Sequence, residues 1–148
     1  MVPDLTRGLW LEDRNVGLLW RASPSDLNAA SPPDFSTIQE GRTVFVWNDR
    51  VWRGMQCQMT TSFGGNWRPQ SVLLGIKITF VIPKEIRRCS DAFQWLQEKL
   101  VELFGKPASM RDDGEDGKAI WQIDGMTLRH EYFDGMGGGH YVVLFLQD

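Results

Sequence analysis

Cysteine and histidine are scarce in this chain: two of each among 148 residues, Cys57, Cys89, His130 and His140. Two thiols cannot build a disulfide scaffold, and a chain of this length can bury a core without one. Two histidines leave little for a zinc motif or for imidazole acid–base chemistry. The sequence also lacks a nucleophile elbow, a Walker sequence and a dinucleotide fingerprint. Apolar runs are short: residues 72–82, interrupted by Lys77, and residues 141–146. Both fall below the roughly 18 residues of a membrane span. The opening Met1-Val2-Pro3-Asp4-Leu5-Thr6-Arg7 has no basic region leading into an apolar one, so it does not read as a signal peptide. An excess of positive charge is absent too. Sixteen Lys and Arg against nineteen Asp and Glu give a net charge of −3, which disfavours nucleic acid as a general partner. The expectation is a cytoplasmic protein with reduced thiols, no cofactor and no membrane contact.

Apolar bulk is plentiful. Seven Trp and eight Phe exclude a disordered chain, because so many rings cannot stay solvated. The expected organisation is one domain, residues 1–148, with an irregular segment at 1–40 packing on a core at 42–148. Within the first segment, Leu9-Trp10-Leu11 and residues 16–20 suit two short strands around Asp13-Arg14-Asn15. A Ser- and Pro-rich stretch follows at 23–33, with room for one helical turn at 25–30 capped by Ser25.

From residue 42 the pattern sharpens. Residues 42–47 are β-branched and aromatic, Asn48-Asp49 reads as a turn pair, and residues 50–63 read as a long strand. There Val51, Met55, Cys57 and Met59 alternate with Trp52, Gln56, Gln58 and Thr60, which predicts one buried and one wetter face. The alternation resumes over 72–82. Phe93, Leu96, Leu100, Leu103 and Phe104 then recur at helical spacing, with Ser90 as cap and Gly105 and Pro107 as stop. Residues 119–123 and 126–134 flank Asp124-Gly125, a hairpin signal, and a glycine loop at 135–139 leads to a last strand at 140–146. That strand is apolar on both sides, so two layers are expected to cover it, the helix on one and the N-terminal segment or a second protein on the other. The fold class expected is α+β, an antiparallel sheet of about six strands with one principal helix, 90–104, on one face.

Motifs with chemical content are few. The loop Asp134-Gly135-Met136-Gly137-Gly138-Gly139-His140 precedes a strand, whereas a phosphate loop needs a helix behind its glycines. An Asp134–His140 pair at the loop mouth is expected, with His130 a core-edge residue about 13 Å back along its strand at ~3.3 Å per residue. Three metal ligands do not assemble from these. The acidic Asp112-Asp113-Gly114-Glu115-Asp116-Gly117 lacks the spacing of a calcium loop, and Ile123 stands where the closing Glu belongs. Cys57 reads as a buried hydrophobe, and Cys89, beside Arg87 and Arg88, as the more reactive thiol.

Charge is segregated. Residues 1–40 carry −3, residues 41–88 carry +6 and residues 89–148 carry −6. With Asn48-Asp49 as a two-residue turn, Trp47 stands opposite Arg50, Phe45 opposite Trp52 and Val44 opposite Arg53. Trp67 and Arg68 follow in the next loop. Rings alternating with guanidiniums suit both a protein hot spot and a single-stranded nucleic-acid platform. The competing account packs Trp52 and Trp67 beneath the N-terminal segment. The expected contact residues are Trp47, Arg50, Trp52, Arg53 and Trp67, facing a protein partner with an acidic surface. A second copy of the chain is a further candidate partner.

Leu100-Val101-Glu102-Leu103-Phe104-Gly105-Lys106-Pro107 and Trp121-Gln122-Ile123-Asp124-Gly125, with the order of elements, resemble small uncharacterised bacterial proteins. Some of that build are immunity proteins that neutralise polymorphic toxins. The resemblance spans residues 42–148 and carries over no functional residue. It implies a non-catalytic binding module, an inhibitor or immunity protein that occludes a partner's functional surface. A small enzyme of unknown reaction and a single-stranded nucleic-acid binder stand as the other classes.

Overall fold

The structure, a computed structural model, describes residues 2–65 and 70–147. In chain order its elements are strands β1 (Gly8–Leu11) and β2 (Val16–Leu19), helix α1 (Pro24–Ala30), and strands β3 (Phe35–Gln39), β4 (Arg42–Val51), β5 (Met55–Gly64) and β6 (Gly75–Phe80). Helix α2 (Cys89–Phe104) and strands β7 (Ser109–Asp112), β8 (Asp116–Ile123), β9 (Met126–Phe133) and β10 (Gly139–Leu146) follow. β1 and β2 form a separate hairpin, and the other eight strands make one sheet in the order β3-β4-β5-β6-β10-β9-β8-β7. Every pairing is antiparallel.

One line across the registers defines each face. Trp47, Met59, Ile78, Val142, His130 and Ala119 stand side by side on six successive strands, all buried. Their neighbours Val46, Thr60, Lys77, Val143, Arg129 and Ile120 point to the opposite side. Both covering layers lie on the first of these faces. Over its β8–β10 half, α2 stacks Phe93 on His130 at 4.2 Å and sets it at a tilt against Tyr132 at 4.9 Å. Over its β4–β6 half lies the N-terminal segment, which buries Leu5, Leu9, Leu11, Leu18 and Leu27 in the same core. Helix and N-terminal segment therefore sit beside each other, so of the two expected second covers for β10 the N-terminal segment is corrected. The other face has no layer on it among the described residues.

The sheet has eight strands rather than about six. β3 comes out of the segment expected to be irregular, and β7 is folded back on β8 by the acidic stretch, where the Asp113 carboxylate accepts from the N–H groups of Glu115 and Asp116 at 2.9 Å. α1 starts one residue before the expected turn, with Ser23 as its cap accepting from Asp26 N–H at 3.1 Å. α2 starts at Cys89, with Arg88 in extended conformation at the cap position, so Ser90 is inside the first turn. Gly105 ends it as expected, and its carbonyl accepts the indole N–H of Trp121 at 2.8 Å. That bond joins the two sequence stretches on which the resemblance rests.

Asn48-Asp49 is not a turn. β4 runs through both residues, and the chain reverses at Trp52, Arg53 and Gly54, all with positive φ. Asp49 instead points inward with a fully buried side chain. Its Oδ1 accepts from Asp13 N–H at 2.8 Å, and its Oδ2 lies 3.2 Å from Arg14 Nε. The carboxylate thus fastens the β1–β2 turn to the sheet. Two left-handed non-glycine residues are costly, and Glu12 holds them by accepting from Arg53 N–H at 3.1 Å and Gly54 N–H at 2.6 Å. Removing one partner of a buried pair strands the other. Asp49→Ala is expected to lower the unfolding free energy by about 3 kcal/mol in urea titration, whereas Asp13→Ala, at an exposed side chain, should change it by less than about 1 kcal/mol.

Candidate functional site

Of the five residues expected to meet a partner the structure describes four, and two of these lie in the core. Trp47 is 0% exposed. Its indole N–H donates to the Ser31 carbonyl at 2.9 Å and its ring meets Phe45 edge-on. Trp52 is 7% exposed, packed on Phe80 and edge-on against Phe104 at 5.0 Å. Both are core residues, because the true register sets Trp47 opposite Met59, Phe45 opposite Thr61 and Val44 opposite Ser62. The expected pairing of rings with guanidiniums is thereby corrected. Arg50 is exposed on the uncovered face, its Nε 3.8 Å from Asp13 Oδ2. Arg53 is exposed in the β4–β5 turn. Trp67 lies outside the described residues.

What the fold offers instead is the uncovered face itself. Its strands present Arg42, Arg50, Lys77, Arg111, Lys118 and Arg129, against the acids Glu131 and Asp116, in a chain whose total charge is −3. At its centre β10 contributes Tyr141, Val143 and Phe145, all half-buried. Lys77 Nζ lies 5.0 Å from the Tyr141 ring and Arg129 lies 5.8 Å from the Phe145 ring. Glu131 ties this centre together: it accepts from Tyr141 O–H at 2.6 Å and lies 3.3 Å from Arg129 Nε and 3.8 Å from Lys118 Nζ. Burial, then the bond to Glu131, pushes the Tyr141 hydroxyl up to about 12, so it stays a donor. Two shallow hollows continue the face across β4–β6. One, about 430 Å³, is lined by Asn48, Gln56, Gln58 and Thr79 together with the acids Asp13 and Asp49, the other, about 270 Å³, by Thr60, Ser62 and Lys77. Amides, hydroxyls and cations surround a small aromatic centre, a composition suited to hydrogen bonding and charge pairing with another macromolecule.

The sequence signal for this face is the continuous apolar run at 141–146, which makes that strand apolar on both sides. What it did not reveal was that both covering layers choose the same side.

The two histidines meet in the core. Gly139 pairs with Phe133, which places His140 beside Tyr132 and His130 beside Val142, so the expected Asp134–His140 pairing is corrected. Glycine at 139 fixes this register, since a Cβ there would lie 2.6 Å from the Phe133 ring. His130 Nδ1 is 2.7 Å from Gln97 Oε1, and His130 Nε2 is 2.7 Å from His140 Nε2. With the Gln97 oxygen as acceptor, His130 donates from Nδ1, leaving its Nε2 bare to accept from His140. This pattern requires a neutral His130. Burial drives His130 down to about 2, helped by repulsion from His140, and drives His140 down to about 4. Among the described residues no group of three or more His, Cys, Asp or Glu could hold a metal. Cys57 is pushed up to about 12 by burial and by the charges of Asp49 and Glu12, which makes it an inert thiol.

Compared with known proteins, the chain matches no family model, no curated sequence and no solved structure. The reading of the site stands on its own geometry.

Two outcomes are expected. Trp52→Ala should cost about 3 kcal/mol or more in thermal or urea unfolding, as large-to-small core changes do. Stability should also fall on acidification. Below about pH 6.5 the unfolded chain protonates both imidazoles while the folded chain, with its lowered values, does not. The loss grows as pH falls toward the folded value of about 4 for His140. His140→Gln, which can still donate to His130, should shallow that slope in melting curves recorded from pH 7 to pH 4.

Proposed function

We propose that this protein is a non-catalytic binding module that holds an acidic protein surface against the uncovered face of its sheet. Such a module would act as an inhibitor or immunity protein does, by occluding the surface it covers. One observation carries the reading: a cation-rich face, continuous over eight strands, in an otherwise acidic chain. Glu131 favours a protein partner over nucleic acid. A carboxylate at the centre of the face, holding Lys118, Arg129 and the Tyr141 hydroxyl, repels phosphates and masks the rings on which bases would stack. The same groups offer a protein paired charges and directional donors.

The test starts from a partner retained by the immobilised protein from its source extract and then purified. Its affinity is measured by calorimetry for wild type and for Lys77→Glu/Lys118→Glu. Reversing both cations should weaken binding at least tenfold, with a steeper loss as salt falls, while the melting temperature stays within a few degrees. Equal affinity for both proteins would place the contact elsewhere. A labelled single-stranded oligonucleotide, bound at low ionic strength and lost in the double variant, would put the nucleic-acid reading in its place.

A further inference from the structure

The sheet ends in two edges of different character. β7 is four residues long, carries Arg111 and Asp112 and runs into Asp113, and charge on a short edge blocks pairing with other chains. β3, Phe35-Ser36-Thr37-Ile38-Gln39, has neither charge nor proline. Its two large apolar side chains stand in solvent, Phe35 at 60% and Ile38 at 77% exposure.

We propose that β3 pairs antiparallel with β3 of a second copy, joining two sheets edge to edge. The hairpin geometry says which backbone groups are available for this. β3 and β4 are linked by Glu40 and Gly41, with φ of 52° and 77°, a type I′ turn closing on the pair Gln39 and Arg42. A two-residue loop of this kind closes on a hydrogen-bonded pair, and such pairs recur at every second position. Gln39, Thr37 and Phe35 therefore spend their N–H and C=O groups on β4. Asp34 N–H reaches the Val46 carbonyl as well, at 2.9 Å, as in a bulge. The N–H and C=O groups of Ser36 and Ile38 are left pointing away from the sheet.

That set is its own complement. A two-fold axis through Thr37 brings Ser36 opposite Ile38 of the second copy and Ile38 opposite its Ser36, each pair exchanging both hydrogen bonds. Thr37 then faces its own counterpart, a favourable cross-strand pair. An isologous contact needs this self-matching. No like charges meet within β3. At its ends Asp34 approaches Glu40 of the other copy, and Asp34 is already ion-paired with Arg14. The inner and outer faces continue across the junction, so this pairing leaves the cation-rich face open whatever that face binds.

Sedimentation equilibrium from micromolar to near-millimolar concentration tests the idea. Wild type should pass from monomer to dimer. Ile38→Lys and Ser36→Pro, the latter removing an outward N–H only, should raise the dissociation constant at least tenfold with the melting temperature unchanged. Register is read by cross-linking in a Cys89→Ser background. Opposed residues of a non-hydrogen-bonded pair have Cα atoms about 4.5 Å apart, within disulfide reach. Thr37→Cys should therefore oxidise to a covalent dimer, and Ser36→Cys should not. A wild type that stays monomeric throughout would overturn the proposal, as would a dimer that Ile38→Lys leaves intact and Thr37→Cys fails to cross-link. If Ser36→Pro does not fold, the lysine variant and the cross-link decide.

Discussion

A buried carboxylate decides how half of this molecule is covered. Asp49 occupies a position on β4 where an apolar residue would pack, and its charge is met by Arg14 and by the backbone of the β1–β2 turn. Arg14 in turn reaches Asp34 and the carbonyl of Pro32, so one guanidinium links the N-terminal hairpin, the segment after α1 and the sheet. The hairpin is too small to be stable alone, and it gains its stability from this anchorage and from Leu9, Leu11 and Leu18 beneath it. Trp47 completes the attachment by donating its indole N–H to Ser31. Polar contacts fix where the N-terminal layer lies, and apolar area provides most of the driving force.

Placing both layers on one side has a direct consequence for the other. A sheet this wide normally hides both faces if both are apolar. Here the outer positions of β4, β5 and β6 are mostly Asn, Gln, Thr, Ser, Arg and Lys, with Val44 and Val46 on β4 as apolar exceptions beside the apolar centre on β10 and β8. Even there, Lys77 and Arg129 lay their stems and charges over the rings, which keeps the apolar area small. The face is compatible with water and equally with a polar, charged partner.

Much of this was legible in the sequence. The α+β class, the antiparallel strands, the α2 stripe, the Gly105 stop and the Asp124-Gly125 hairpin all follow from period and turn chemistry. The failures have identifiable causes. Asn48-Asp49 carries a turn signal, but the signal cannot distinguish an aspartate that caps a turn from one that is buried with an arginine from another element. The strand β3 is short and weakly patterned, and β7 is four residues with Met110 as its one apolar side chain, so neither announces itself without its neighbour. A turn at Asn48-Asp49 sets the wrong partners opposite Trp47 and Trp52, and it is the competing account, with Trp52 packed inside, that matches its 7% exposure. The contact between His130 and His140 depended on whether strand pairing begins at Phe133 or Asp134, a choice made by the Phe133 ring lying over Gly139.

The position of β10 has a kinetic meaning. It is the last strand in sequence yet lies inside the sheet, between β6 and β9. Ile78 on β6 meets Val142 on β10, so the seam joins residues far apart in the chain. Until that seam closes, β3–β6 and β7–β10 are two half-sheets, each with an unguarded inner edge. Closing a loop of that length delays the reward of pairing, which puts the assembly among slower-folding topologies. While the seam is open, the β6 and β10 edges are the places where the chain is most exposed to mispairing.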